Sequence, residues 1–464
     1  MKVLLTVPLN RSYVIMPPLG LGYIASVVRN KGHDVEILHG IKDNITPEKL
    51  KNLQMKKRFD VIGFQMMTYD FNPIKKLSKA IKEINHETIV VVGGAHPSGD
   101  PQGTLNSIKE IDYAFIGEVE IAFPYFLEKI KKVNEKNRSK ILGSVPNLVW
   151  RNKDKVIVNP WKFVDDLDSF DFPAWDLMDP REYPEAPHGA FLKSYPYAPI
   201  IITRGCPFQC SFCAGKCVTD NRIGKRSIKN VIKEMEYLMN KYGVKEFMIE
   251  DENFTLHKNL VYEFCNEIIK RRWRVHWSCP AGVRLDTLDL RMLKLMEKSG
   301  CHSLSVGIEF GSQKILNLTK KRLSIKIIKE KIDLINKTGI RISGFFMMGY
   351  PGETKKDIWK TIKLAWSLPI DRAQFNNFMP LPGSEIYNKL KGEGKLKNLR
   401  VDHFFVHDVG FIPEGFTEKE LKNLQRKAYI GFYLKPRIII GLLKDITTLQ
   451  QFKYLIDRFF DALK

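Results

Sequence analysis

The residues with the most specific chemistry in this sequence are three cysteines. Cys206, Cys210 and Cys213 stand in TRGCPFQCSFCAGKC, separated by three and then two residues, a spacing that wraps a compact metal centre. Thiolates are the soft ligands that iron-sulfur clusters require, and ferredoxin-type clusters use four of them. Zinc takes the same ligand type, but an all-cysteine zinc site pairs two short-spaced couples, and no second couple stands elsewhere in the chain. Cys217 would close the centre as a fourth ligand and make it an electron carrier; left as a free thiol, it leaves the centre open for catalysis. Cys265, Cys279 and Cys301 fall in helix and strand patterns and read as small core residues. The chain has 7 cysteines, all between positions 206 and 301. An odd number in a long chain points to a reducing compartment and to metal or redox chemistry rather than a disulfide framework.

A regular alternation of strands and helices positions these residues. Apolar runs at 2–7, 34–38, 60–64, 89–94 and 112–117, with helical patterns at 20–30 and 73–84 between them, predict an α/β fold: a doubly wound, Rossmann-like parallel sheet over 1–140. The polar run at 129–140 marks a junction. NLVWRNKDKVIVN then reads as a β-hairpin turning at 152–154, and 141–195 as a whole as hairpin and connector. Six further strand-helix units, beginning at PIIITRG and ending at RAQFNNF, predict a partial (β/α)6 TIM-like barrel over 196–400. In the helix after Ser227, the residues Ile228, Val231, Ile232, Met235, Leu238, Met239 and Tyr242 fall on one face, with Ser227 to cap it and Gly243 to end it. Residues 401–464 read as a small helical C-terminal element. Its FKYLIDRFFDAL segment sets Phe452, Leu455, Ile456, Phe459 and Phe460 on one side and is expected to pack on the barrel. The alternative is a membrane-surface contact beside Lys435, Arg437 and Lys444.

The composition narrows the class. Over 464 residues, 44% are hydrophobic and 27% charged, which fits folded domains and excludes wholesale disorder. The net charge of +22 would favour anionic partners. The basic residues are scattered among acidic ones, so nucleic-acid binding is not expected. The opening MKVLLTVPLNRS goes straight into a strand, and no apolar run approaches the roughly 20 residues needed to span a bilayer. A cytoplasmic location is therefore expected.

The cysteine spacing, with Phe212 before the third cysteine, resembles the signature of the radical S-adenosylmethionine (SAM) superfamily. The resemblance implies a [4Fe-4S] cluster on Cys206, Cys210 and Cys213 whose fourth iron is chelated by SAM, together with an external low-potential electron donor. Further segments are similar in order. IEDENF offers Asp251 and Glu252 near the amino group of SAM. GIEFGSQKILNLTKKR offers Glu309 toward the ribose and Lys321 or Arg322 toward the carboxylate. GFFMMGYPGET offers Gly349 and Gly352 at the adenine. VVVGGAHPSGDP and DYAFIGEVE resemble the cobalamin-binding domain that precedes many such barrels, which implies that Gly93, Gly94 and Glu118 contact cobalamin; Glu118 and Glu120 at the strand end either contact the ligand or cap the following helix. The D-x-H-x-x-G motif that gives a histidine to cobalt is absent from PLNRSYVIMPPLG, and His39 and His96 read as surface or turn histidines. Without extra cysteine sets at either end, the chain is most similar to cobalamin-dependent radical SAM methyltransferases and to the anaerobic magnesium-protoporphyrin monomethyl ester cyclase group. The implied reaction is methyl transfer to an unactivated carbon of a small-molecule, lipid or tetrapyrrole substrate. A radical cyclisation or rearrangement without net methylation, and a non-catalytic electron carrier, are the alternatives.

Overall fold

Two parallel sheets organise the computed structural model, which describes residues 1–12, 14–185, 192–397, 399–405, 408–446, 448–449, 451–453 and 455–456. The first contains β1 (Lys2–Val7), β2 (Asp34–His39), β3 (Val61–Gln65), β4 (Ile89–Gly93) and β5 (Tyr113–Phe115), all parallel, in the order β2-β1-β3-β4-β5. Helices cover both faces, so the strands need not alternate polar with apolar, and Val3, Leu4, Val61, Ile62, Val90 and Val92 are all buried. Strand order reverses between β1 and β3, which opens a crevice at their C-terminal ends, the usual ligand position in such sheets. The hairpin expected in the connector instead continues this sheet. β6 (Leu148–Asn152) pairs antiparallel with β5, and β7 (Lys155–Val158) pairs with β6. Buried Leu148, Val149 and Trp150 give the hairpin a reason to dock on the core.

The second sheet is also parallel. β8 (Tyr197–Ile200) leads into a short β9 (Thr203–Arg204), which pairs antiparallel with β10 (Gly224–Lys225). β11 (Glu246–Ile249), β12 (His276–Val283), β13 (Cys301–Glu309), β14 (Arg341–Met348) and β15 (Arg372–Asn377) follow β8 across the sheet in chain order. Among the described residues β15 does not return to pair with β8, so the six βα units form an open sheet and not a closed barrel. The helix Ile228–Tyr242 has the predicted ends: Ser227 Oγ accepts from the Asn230 amide at 3.1 Å, and Gly243 closes it at φ 68°. Cys265, Cys279 and Cys301 are buried in the core.

The free edge of β15 is covered by the helix Glu418–Tyr433. The Tyr433 hydroxyl accepts the Ala373 amide and donates to the Ala373 carbonyl; Tyr429 does the same for Phe375, and the Gln425 side chain also donates to that carbonyl. Two side-chain hydroxyls thus satisfy edge groups that would otherwise pair with another strand. Of the FKYLIDRFFDAL segment, only 452–453 and 455–456 are described, and there Phe452 and Ile456 are exposed. Phe459 and Phe460 lie outside the described residues.

Candidate functional site

The three cysteines lie on one loop that leaves the C-terminal end of the β8–β9 strand, the end at which βα units assemble active sites. The loop is braced from below by β11. The carboxylate of Asp251, 2% exposed, accepts from the Ile202 amide (2.8 Å), the Thr203 amide (2.7 Å) and the Thr203 hydroxyl (2.7 Å). Burial holds its carboxyl up at about 7 against those hydrogen bonds. Glu252 accepts from the Gly205 amide at 2.9 Å. Gly205 sits at φ 93°, and a Cβ there would run into the Arg222 carbonyl, so the turn into the cysteine loop requires glycine. Both acidic residues are therefore placed against the backbone that leads into Cys206.

The loop is also fastened from above. The Ser211 amide donates to the Thr319 carbonyl (3.0 Å), its carbonyl accepts from Ile386 (3.0 Å), and its hydroxyl lies 2.8 Å from that of Tyr350. Within the loop, the Gly215 amide donates to Cys213 Sγ at 3.3 Å. Removal from bulk water, and then the mutual proximity of the cysteines, hold the Cys206 and Cys213 thiols above their ordinary range. Crowded thiolates of this kind need positive charge among them, which iron supplies, so the donor set fits a cluster. Among the described residues no three His, Cys, Asp or Glu side chains converge on a single-ion point; thiolates that each take a different iron need not do so. Cys217 contacts backbone carbonyls outside the cysteine loop. Its Sγ lies 3.8 Å from the Ala95 carbonyl and 4.0 Å from that of Pro382, and burial, with Cys213 nearby, pushes the thiol up to about 11.

Glu309 and Lys321, expected from the resemblance at the ribose and the carboxylate of SAM, pair with each other. Lys321 Nζ lies 2.9 Å from Glu309 Oε1, with both side chains largely buried, and 5.9 Å from the Phe212 ring centroid. A Cβ on Gly307 would sit 2.6 Å from the Glu309 oxygen and 2.8 Å from Lys321 Nζ, so that glycine makes room for the pair. Glu309 has φ 65°, a left-handed conformation that a non-glycine residue adopts under constraint. Arg322 is exposed, which leaves Lys321 as the cation facing Phe212. Gly349 and Gly352 adopt φ 82° and 87°. A Cβ on Gly349 would meet Leu421 at 3.3 Å, and one on Gly352 would meet Leu318 at 3.4 Å. The Gly349 and Tyr350 amides both donate to Glu353 Oε2 (2.7 and 3.1 Å).

In the first sheet, Gly93 ends β4, where a Cβ would meet Phe115 at an ordinary contact of 3.9 Å, while Gly94, at φ 116°, abuts the Met66 backbone. His39 and His96, read from sequence as surface or turn residues, are both buried, and burial holds each imidazole down at about 4. The reason is packing: His96 reaches Thr68 Oγ1 at 3.2 Å and stands edge-on to Phe71, and His39 stands edge-on to Tyr183. Glu118 and Glu120 face the second sheet. They lie 3.1 and 2.7 Å from Arg204 Nη1, with the Arg204 guanidinium 5.1 Å over the Tyr23 ring. Arg204 stands two residues before Cys206. Sequence reasoning passed over it because its partners lie more than eighty positions upstream, although it stands inside the cysteine motif. Arg284, at the end of β12, was also missed; its place just past a strand end was the available signal.

With this geometry in hand, comparison with known proteins identifies the class. A model of the radical SAM superfamily matches residues 200–365, and one of the B12 binding domain matches residues 5–127. An uncharacterised methyltransferase of Pyrococcus horikoshii is 30% identical over 453 residues, covering 96% of this chain and 95% of its own. The anaerobic magnesium-protoporphyrin IX monomethyl ester cyclase of Cereibacter sphaeroides is 26% identical over 427 residues, 91% of this chain and 68% of its own. The structure of the radical SAM methyltransferase TsrM from Kitasatospora setae, with cobalamin and a [4Fe-4S] cluster bound, superposes with a TM-score of 0.72 over 98% of this chain and 99% of that one, at 14% identity; it shares the fold. The chain belongs to the radical SAM superfamily and is an enzyme of that class, with a B12-binding domain ahead of the radical SAM domain.

Proposed function

We propose that this enzyme cleaves SAM at a [4Fe-4S] cluster held by Cys206, Cys210 and Cys213, and uses the resulting 5'-deoxyadenosyl radical to methylate an unactivated carbon with cobalamin as methyl carrier. The observation that carries this reading is the position of the cysteine loop. It is tied on one side to the Glu309 and Lys321 segment through Thr319, and on the other, through Arg204, to Glu118 and Glu120 of the B12-binding domain. When bound, the cluster supplies the electron that splits the C5'–S bond of SAM, and the corrin supplies the methyl group. The chain's own residues position these groups and keep water out. Asp251 and Glu252 fix the entry to the loop, and Lys321 offers an ammonium for the SAM carboxylate. The site opens at the C-terminal ends of both sheets, where a reactive radical can be screened from solvent. The contacts of Cys217 with the Ala95 and Pro382 carbonyls speak against a four-cysteine electron carrier.

Anaerobic reconstitution with iron, sulfide and hydroxocobalamin, followed by reduction in SAM, tests the reading. The expected products are 5'-deoxyadenosine and S-adenosylhomocysteine, with corrin retained. Cys210→Ala is expected to abolish both products, and Cys217→Ala to keep the iron content. 5'-Deoxyadenosine without S-adenosylhomocysteine in the presence of substrate would favour cyclisation, the activity named for the Cereibacter relative. A fully loaded, reduced protein that leaves SAM intact in the presence of substrate would overturn the reading.

The substrate we propose is a small molecule, with lipids and tetrapyrroles included, and the reductant is an external low-potential donor. Peripheral membrane contact fits the helix Pro436–Asp445, where Ile440 and Leu443 are more than half exposed beside Arg437 and Lys444; no helix among the described residues is long and apolar enough to cross a membrane. Flotation with anionic vesicles that is lost in Ile440→Glu is the expected result, and recovery in the soluble fraction at every lipid concentration would remove that contact from the proposal.

A further inference from the structure

Arg284 is the one cation among the described residues that reaches a cysteine of the loop with a side-chain donor. Its Nη1 lies 3.9 Å from Cys210 Sγ, and its guanidinium stands 3.7 Å over the ring of Phe208, which lies between Cys206 and Cys210. The side chain is buried and its orientation is fixed by other partners. Nε and Nη2 donate to the two carboxylate oxygens of Asp286 at 3.0 and 2.9 Å, and Nη2 also donates to the Lys321 carbonyl at 2.9 Å. Lys321 in turn holds Glu309. The arginine therefore joins a cysteine of the loop to the segment that carries the Glu309–Lys321 pair, with Asp286 locking the plane of the guanidinium.

We infer that Arg284 is a positioning residue that sets the reduction potential of the cluster, by presenting a fixed positive charge and a hydrogen-bond donor to the sulfur of Cys210. The inference rests on the proposed cluster site. The physical basis is general: hydrogen bonds to cluster sulfurs and net local charge are main determinants of iron-sulfur potentials. Reduction adds negative charge to the cluster, so a nearby guanidinium stabilises the reduced form more than the oxidised one. A low effective dielectric strengthens that effect. Removing the guanidinium also leaves the Asp286 carboxylate without its partner beside the cluster, which acts in the same direction. A lysine would keep the charge but lose the bidentate grip on Asp286 and the stacking on Phe208.

The test compares wild type, Arg284→Gln, Arg284→Lys and Asp286→Asn, each reconstituted anaerobically and quantified for iron, in an EPR-monitored redox titration without SAM. Arg284→Gln is expected to cut the reduced-to-oxidised ratio at the wild-type midpoint about tenfold, a fall of roughly 59 mV for a one-electron couple. Arg284→Lys should recover most of that shift, and Asp286→Asn should move the midpoint upward. The inference is overturned if a fully loaded Arg284→Gln titrates with wild type, or if the glutamine and lysine variants shift equally, which would assign the effect to packing. Should Arg284→Gln lose its iron, Asp286→Asn decides alone, and an unmoved midpoint there refutes the role. A wild type that binds no cluster is a separate failure, read in the iron count, and would strike the proposed function instead.

Discussion

Glu353 belongs to the loop after β14, and its two carboxylate oxygens have unequal surroundings. Oε2 accepts from the Gly349 and Tyr350 amides, whereas Oε1 is buried without a hydrogen-bond partner. Burial pushes the carboxyl up from 4.5 to about 8 in spite of those two amides. The folded chain then holds a proton that the unfolded chain has released. The stability contributed by this group is fully present below about pH 4.5 and is lost as pH rises through about 8. Glu353→Gln mimics the protonated side chain and keeps an acceptor for the two amides. We expect urea midpoints of the variant to gain on wild type steadily from about pH 5 to pH 8 and to hold that lead above it. A difference that does not change with pH would refute the assignment. At the same scale, Asp251 illustrates what sequence could not supply. Its place in IEDENF suggested a contact with SAM, but its carboxylate engages the backbone of residues 202–203. Asp251→Ala is expected to destabilise the chain by about 3 kcal/mol, the upper range for leaving buried donors unsatisfied, and to reduce iron retained on reconstitution; a stable variant with full iron would assign Asp251 elsewhere.

The elements themselves were largely legible, for a physical reason. Parallel strands buried on both faces read as continuous apolar runs, and helices with a serine cap and a terminal glycine announce both ends, as Ser227 and Gly243 do for Ile228–Tyr242. Partners distant in the chain were not legible. The hairpin at 148–158 could be recognised as a hairpin, but nothing local says that its first strand pairs with β5. The covering of β15 was equally hidden, because tyrosine hydroxyls at 429 and 433 reach a strand more than fifty positions upstream. This covering predicts that Tyr433→Phe, which removes only the hydroxyl, leaves the Ala373 amide and carbonyl short of a partner on a half-buried edge. The expected cost is about 1 kcal/mol in chemical denaturation, with a larger tendency to self-associate at high concentration. An unchanged midpoint together with unchanged light scattering would show that solvent satisfies that edge.

At the scale of the molecule, the proposed function needs the crevice of the B12-binding domain and the cysteine loop held in fixed register, and Arg204 is the residue best placed to do so. It follows β8 by four residues, precedes Cys206 by two, and binds Glu118 and Glu120 from the far end of β5. Glu118 extends the contact by accepting from the Val164 amide at 3.0 Å, which ties the connector into the same junction. All three side chains are largely withdrawn from water, so breaking the group by removing the arginine leaves two carboxylates facing each other without a cation. Such a loss typically costs 3–5 kcal/mol, well above the roughly 1 kcal/mol expected for Glu118→Gln, where Glu120 still holds the charge. Arg204→Gln should therefore lower the denaturation midpoint more than Glu118→Gln. It should also lower the fraction of cobalamin kept through gel filtration while each domain's secondary structure persists in far-UV circular dichroism. Equal losses for the two variants would mean that the charge pair is screened by water and that the register of the sheets rests on apolar contact alone. Retention of full corrin by Arg204→Gln would place the crevice outside the control of this junction.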